Sequence, residues 1–320
     1  MSPPVQPASP ESVVPAVDAA SPAVREFDDF YRGISALGAD PATTIEQLRD
    51  GFSRWGDFGR DPERVDYVHV DAGGVPALWA VPEGAALDRV LVCSHGGGYA
   101  CGSIYSHRKL YAHLARAVGC RALLVDYRLA PEHVHPAQVE DLVAVYRWLL
   151  EDQAIAAGRI ALTGDSAGGA LCLSPLLRAR ELGLPMPAAI LPLSPWIELE
   201  ALDPIHETND RDLIGTRDVV ISSAEVFLGP AGDPRDPLAA PIYADLHGFP
   251  PMYIQVGGCE NFVADARTLA RRAQEAGVEV RLDVYADMQH VFQLLAGAAP
   301  EADDAIARLA AWVRPRLGLA

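Results

Sequence analysis

Three short stretches of the chain carry residue types suited to attack on a carbonyl carbon. The first is Gly164-Asp165-Ser166-Ala167-Gly168, a G-x-S-x-G pattern. A serine on a sharp turn between strand and helix projects its hydroxyl above the sheet, and glycines on either side let the backbone bend that tightly. The helix start beyond it favours developing negative charge. Alone, the same five residues also suit a glycine-rich turn with an incidental serine. The second stretch is His95-Gly96-Gly97-Gly98-Tyr99. Consecutive glycines let backbone N–H groups turn toward one point, where the oxyanion of a tetrahedral intermediate can be held. A plain flexible loop or a phosphate-binding turn is the alternative, but neither a following Gly-Lys-Ser/Thr nor a G-x-G-x-x-G is present. The third is Asp287-Met288-Gln289-His290-Val291-Phe292. Histidine suits the general base that serine chemistry needs near neutral pH. The chain has nine histidines; His290 stands out because it follows a late strand, in the order serine, acid, histidine.

Such groups must be held by a scaffold, and the hydrophobic pattern supplies one. Residues 65–70 alternate apolar and polar, Asp71-Ala72-Gly73-Gly74 makes a turn, and residues 75–81 run back, which predicts a β-hairpin. Apolar runs at 89–94, 121–126, 159–163, 188–193, 252–256 and 279–285 predict six more strands. Between and after them, amphipathic segments at 106–118, 137–151, 167–182, 262–276 and 302–316 predict helices. Strands alternating with helices give an α/β fold, a mostly parallel eight-stranded sheet flanked by helices, with the hairpin at one edge. Each chemical stretch lies just after a predicted strand.

Two regions fall outside this rhythm. Val24, Phe27, Tyr31 and Ile34, then Ile45, Leu48, Phe52 and Trp55, recur at helical spacing. They are too few for a separate core, so residues 22–60 are expected to form a helical cap on a catalytic domain spanning 61–320. A stretch rich in Asp, Pro and Gly at about 200–235, with one helix near 217–227, reads as a second cap segment. Residues 1–21, rich in Pro, Ala and Ser, are expected to be a disordered tail.

Composition narrows the partners. Twenty-six basic against forty-three acidic residues leave a net charge of −17; that field repels nucleic acid and anionic membrane surfaces. The five cysteines form no C-x-x-C pair and are odd in number, so neither a disulfide framework nor a structural zinc is expected. No signal peptide and no membrane-length apolar run is recognised. The expectation is a cytoplasmic protein acting on a small molecule, without nucleic acid or membrane partner; a homodimer is left open.

Taken together, His95-Gly-Gly-Gly-Tyr99, Asp126-Tyr-Arg-Leu-Ala-Pro-Glu-His133, Gly164-Asp-Ser-Ala-Gly-Gly169 and Asp287-Met-Gln-His290 resemble the bacterial hormone-sensitive-lipase-like carboxylesterases, in particular their GDSAG branch, over roughly residues 65–316. The resemblance implies the α/β-hydrolase fold, an N-terminal helical cap and a Ser-acid-His triad needing neither metal nor organic cofactor. It places the acid after the next-to-last strand, where this chain reads Gly257-Gly-Cys-Glu-Asn-Phe-Val-Ala-Asp265. Glu260 matches the catalytic position, with Glu in place of the commoner Asp, beside Ser166 and His290. Asp265 is a competitor better suited to orienting the loop, and Asp287 a turn-stabilising residue. The resemblance also implies an oxyanion hole from the N–H groups of Gly97, Gly98 and Ala167, and supporting roles for His95, Tyr127, Arg128 and Asp165.

Substrate choice is expected to lie with aromatic residues of the cap and site mouth: Phe30, Tyr31, Tyr99 and Phe292 as binding candidates, with Phe27, Phe52 and Trp55 in the same stripe. Ordinary packing against the main domain is the competing account for most of them. The expected reaction is hydrolysis of small to medium acyl esters; opening of ε-lactones by the same triad is the near alternative. A non-catalytic small-molecule receptor is the more distant one, since receptor relatives of this fold lack the histidine that this chain keeps as His290.

Overall fold

The apolar runs at 90–93, 122–125, 160–162 and 189–193 are almost wholly buried, as strands covered on both faces must be. In the computed structural model, residues 10–15 and 21–320 are described. The chain begins with β1 (Glu11–Val14), α1 (Pro22–Ala39), α2 (Ile45–Ser53), α3 (Trp55–Phe58), β2 (Val65–Asp71), β3 (Pro76–Pro82) and β4 (Ala86–Ser94). It continues through α4 (Ile104–Val118), β5 (Cys120–Val125), α5 (Ala137–Glu151), β6 (Ile160–Asp165), α6 (Ala167–Ala170), α7 (Ser174–Glu181) and β7 (Ala189–Leu193). It ends with α8 (Ile205–Thr208), α9 (Arg217–Leu228), β8 (Met252–Gly257), α10 (Val263–Glu275), β9 (Val280–Tyr285) and α11 (Pro300–Val313).

The strands form one sheet in the order β1-β9-β8-β7-β6-β4-β5-β3-β2. Pairing is antiparallel only for β2 with β3 and β3 with β5; the remaining pairs are parallel. Alternation along each strand feeds two cores. Val90 and Val92 face one cluster with residues of α5, α7 and α10, while Leu91 and Cys93 face another with α4, α11 and the aromatic stripe of α1. Because β4, β6, β8 and β9 run parallel, the loops after them open at one end of the sheet, where ligand sites of such sheets gather.

Two expectations need correction. Among the described residues the sheet has nine strands rather than eight: Glu11–Val14, inside the segment expected to be a disordered tail, pair in parallel with β9, Glu11 opposite Leu282. Without it β9 would present a row of unpaired backbone groups, and two adjacent valines suit a covering strand. Glu11 also pairs with Arg267 at 2.9 Å. The rest of that expectation, residues 1–9 and 16–20, lies outside the described residues. Second, the expected helix 167–182 is two helices, α6 and α7. Pro175 has no N–H to give to the preceding turn, so the first helix stops short and a new one starts with the proline in its first turn.

Candidate active site

β6 ends at Asp165, and the chain reverses at Ser166 with φ 55° and ψ −121°, a backbone state costly for a residue with a side chain. Three hydrogen bonds hold the bend: Ser166 N–H donates to the Leu193 carbonyl at 2.9 Å, while the Ser166 carbonyl accepts from Gly169 at 2.9 Å and Trp196 at 3.0 Å. Glycine is required on both sides for want of space. A Cβ at Gly164 would overlap the Gly168 carbonyl, and one at Gly168 would overlap that of Ser94.

The glycine loop after β4 is fastened to this elbow. The Asp165 carboxylate accepts the Gly96 N–H at 3.0 Å, the Tyr111 hydroxyl at 2.5 Å and a bond from His107 Nε2 at 3.1 Å. Burial alone would raise the Asp165 pKa, but the charge of His107 and the bonds from His107 and Tyr111 outweigh it and hold the carboxyl below its ordinary value. Tyr127 donates to the His95 carbonyl at 2.7 Å and stacks on its ring at 4.4 Å. Burial, helped by the neighbouring His107, depresses His95 to about 4, and because its Nδ1 faces the Gly96 carbonyl at 2.8 Å, that nitrogen is the one that carries the hydrogen and donates. Gly97 has φ +117° and Gly98 φ +60°. Among the described loops and turns, Gly97, Gly98 and Ala167 give their N–H groups to no other backbone carbonyl.

The third stretch meets its partner after β8. His290 Nδ1 is hydrogen-bonded to Glu260 Oε2 in a buried pair. The other Glu260 oxygen accepts from the Ser194 hydroxyl and the Gly257 N–H, each at 2.6 Å. Burial works against a charged imidazole, but the Glu260 carboxylate overrides it and holds His290 above the ordinary histidine value. The competitors stand elsewhere. Asp265 Oδ2 accepts the N–H groups of Ile197 at 2.9 Å and Glu198 at 3.2 Å, and burial pushes it up to about 8. Asp287 is exposed and pairs with Arg211 at 2.9 Å.

Ser166, His290, Gly97 and Gly98 share the wall of one cavity of about 300 Å³. Its other walls come from α1 to α3 (Ile34, Ile45, Leu48, Phe52, Trp55), from α9 and the loop before it (Ile214, Val219, Val220, Ser222, Ser223, Val226), and from Trp196 and Phe262. Among the described residues, no Asp, Glu, Lys or Arg lines it. The insertion carrying α8 and α9 is sewn to the acid loop: Asp212 accepts the Asn261 N–H at 2.6 Å, and Asn261 Nδ2 donates to the Gly215 carbonyl at 2.9 Å.

The four expected binding aromatics require correction, because none lines the cavity. Phe30 packs against Phe58 at 4.9 Å, Tyr99 stacks on Phe227 at 3.7 Å, and Phe292 lies on Tyr285 at 4.7 Å. Tyr31 is fully buried and spends its hydroxyl on the His290 carbonyl. Large rings with neighbours on all sides bury more area as core than as a pocket lining. Of the wider stripe, Phe52 and Trp55 do reach the cavity. Ser194, Trp196, Ile214, Val219 and Phe262 carry no mark of their own in the sequence; only the helix near 217–227 gives a signal, through its place in the insertion.

The arrangement offers a hydroxyl on a strained bend, a carboxylate-paired imidazole and free backbone donors around one apolar space, a set suited to acyl transfer. The family described as alpha/beta hydrolase fold matches residues 91–294. An acetyl-hydrolase of Streptomyces hygroscopicus is 40% identical over 280 residues, 86% of this chain and 91% of its own length. An esterase of Acinetobacter venetianus is 31% identical over 227 residues, 71% and 75% of the two chains. Among solved structures, an esterase from the bacterial hormone-sensitive lipase family superposes with a TM-score of 0.88 at 42% identity, covering 94% of this chain and 100% of its own. The protein EstE5, in crystals soaked with p-nitrophenyl butyrate, does so at 0.85 and 35%, covering 93% of this chain and 100% of its own. Among the described residues, no helix is long and apolar enough to cross a membrane.

Proposed function

The chain belongs to the α/β hydrolase fold family and is a carboxylesterase of the bacterial hormone-sensitive-lipase kind; from that premise we propose that it cleaves small to medium, uncharged acyl esters through Ser166, Glu260 and His290. Ser166 Oγ attacks the ester carbonyl carbon while His290 Nε2, the nitrogen turned away from Glu260, takes its proton. The oxyanion accepts hydrogen bonds from Gly97, Gly98 and Ala167, which exist before the charge develops and need no reorganisation. His290 then gives its proton to the leaving alkoxide oxygen, freeing the alcohol and leaving an acyl-Ser166 ester. Water, deprotonated by His290, attacks that ester; the acid departs and the hydroxyl regains its proton.

The observation that carries this reading is the buried Glu260–His290 pair in contact with the cavity that holds Ser166. A cavity of about 300 Å³ without a charged wall favours compact neutral esters. Labelling with a fluorophosphonate followed by peptide mapping should place the adduct on Ser166, and Ser166→Ala should lower turnover of p-nitrophenyl butyrate by about 10³-fold or more. An adduct on another serine, or an active S166A enzyme, would remove the assignment. Running p-nitrophenyl acetate, butyrate and hexanoate beside ε-caprolactone, read by product mass, separates ester from lactone preference.

A further inference from the structure

The turn that bears His290 is held from the cap as well as from the main domain. Tyr31 of α1 donates its hydroxyl to the His290 carbonyl at 2.7 Å, across 259 positions of sequence. The N–H of Val291, which belongs to the same peptide unit, donates to Ser194 Oγ at 3.2 Å. That peptide plane is therefore pinned at both its polar atoms. The pin matters because Val291 sits at φ +50°, where a β-branched residue is strained and would relax if released. Ser194 Oγ also donates to Glu260 Oε1, so one peptide links the cap to both members of the acid–imidazole pair.

A second clamp acts on the glycine loop. Arg49 of α2 donates from Nε to the Ala100 carbonyl at 2.8 Å and from an Nη to the Ala130 carbonyl at 3.0 Å. Its guanidinium meets both oxygens of Glu132 at 2.8 and 2.7 Å, a planar fork that fixes it in place. Ala100 closes the glycine turn, giving its N–H to the Gly97 carbonyl at 3.1 Å.

We propose that α1 and α2 are positioning elements of the catalytic machinery as well as walls of the cavity: Tyr31 sets the imidazole through the 290–291 peptide, and Arg49 sets the Gly97–Gly98 donors through Ala100. Neither residue touches substrate. The proposal rests on His290 and the glycine loop acting as described under the proposed function.

The two clamps act on different groups, and kinetics tells them apart. Tyr31→Phe removes one oxygen and keeps the ring packed on Phe27 at 4.4 Å. The Y31F enzyme should lose about tenfold in kcat on p-nitrophenyl acetate, with KM within about twofold, as small misplacement of a reacting group does. Its acid limb should also move to lower pH. The groups facing His290 are Glu260, then Asp212 and Asp165, together with the Tyr31 hydroxyl; a looser imidazole loses chiefly the Glu260 contribution, which raises its pKa. Arg49→Gln should lower kcat similarly and leave that limb in place. A wall residue would instead act on KM and chain length, and a merely stabilising one on Tm alone. Wild-type kcat and pH profile in Y31F, a loss confined to KM, or a fully active R49Q enzyme would overturn the proposal. Should Y31F not accumulate, R49Q carries the test: its kcat must fall with the acid limb in place, and full activity overturns the proposal. An active His290→Ala enzyme would instead remove the underlying assignment.

Discussion

The floor of the cavity and its roof are built on different principles. At the floor, backbone lies against backbone: Gly164 against Gly168, Gly168 against Ser94, Gly97 against Cys101, each so close that a single added carbon has no room. At the roof, α1, α2 and α9 present Ile34, Leu48, Phe52, Val219 and Val226, and any apolar side chain of similar size would close the space about as well. The contrast separates chemistry from selectivity. On the proposed mechanism, donors aimed at one oxygen tolerate almost no displacement, whereas a wall that only excludes water can vary.

Substitutions on the two sides should therefore differ in kind. The largest effect is expected at the acid. Glu260→Gln keeps the shape but leaves the imidazolium formed during attack without a counter-charge, and turnover should fall by about 10³-fold or more while the fold, followed by circular dichroism, persists. The same pairing sets a pH dependence. His290 must be neutral to accept a proton, and Glu260 holds its pKa above the ordinary value of 6.5. Activity should thus be full at higher pH and lost as pH falls through a midpoint above 6.5, and any residual E260Q activity should titrate lower. Next in size is Gly97→Ala: its Cβ would strike the Cys101 carbonyl at an unfavourable φ, and the displaced donors should cost about 10²-fold in kcat. The smallest belongs to the roof. Phe52→Ala should change KM severalfold and shift preference toward longer acyl chains, with kcat on acetate little altered, since removed aromatic surface weakens only ground-state contact. A roof variant that lost kcat on the smallest substrate would blur the contrast; a tolerated G97A would end it.

The same contrast explains which parts of the molecule are legible in its sequence. The glycines and Ser166 are legible because steric exclusion leaves no substitute for them, and the strand pattern locates them at one end of a parallel sheet. Glu260 needed the resemblance, since Asp265 and Asp287 are rival carboxylates in sequence and only tertiary contacts separate the three. The aromatic stripe misled for a physical reason. Helical periodicity marks residues that face something apolar, without saying whether that is a core or a cavity, so Phe30 and Tyr31 were indistinguishable from Phe52 and Trp55. Ser194 and Trp196 had no signal, because their roles come from the positive φ of Ser194 and the approach of a neighbouring strand. The strand at Glu11–Val14 was hidden by the prolines and alanines around it, and its partner lies near the other end of the chain.

That pairing bears on how the molecule comes into being. A polypeptide leaves the ribosome from its amino end, and β1 must wait for β9, far along the chain, before it has anything to join. Tyr31 waits as long for residue 290. β1 and Tyr31 are made early and seated late, so the lateral border of the sheet and the hold on the 290–291 peptide are completed only once those distant partners exist, and a chain ending before residue 280 would lose both.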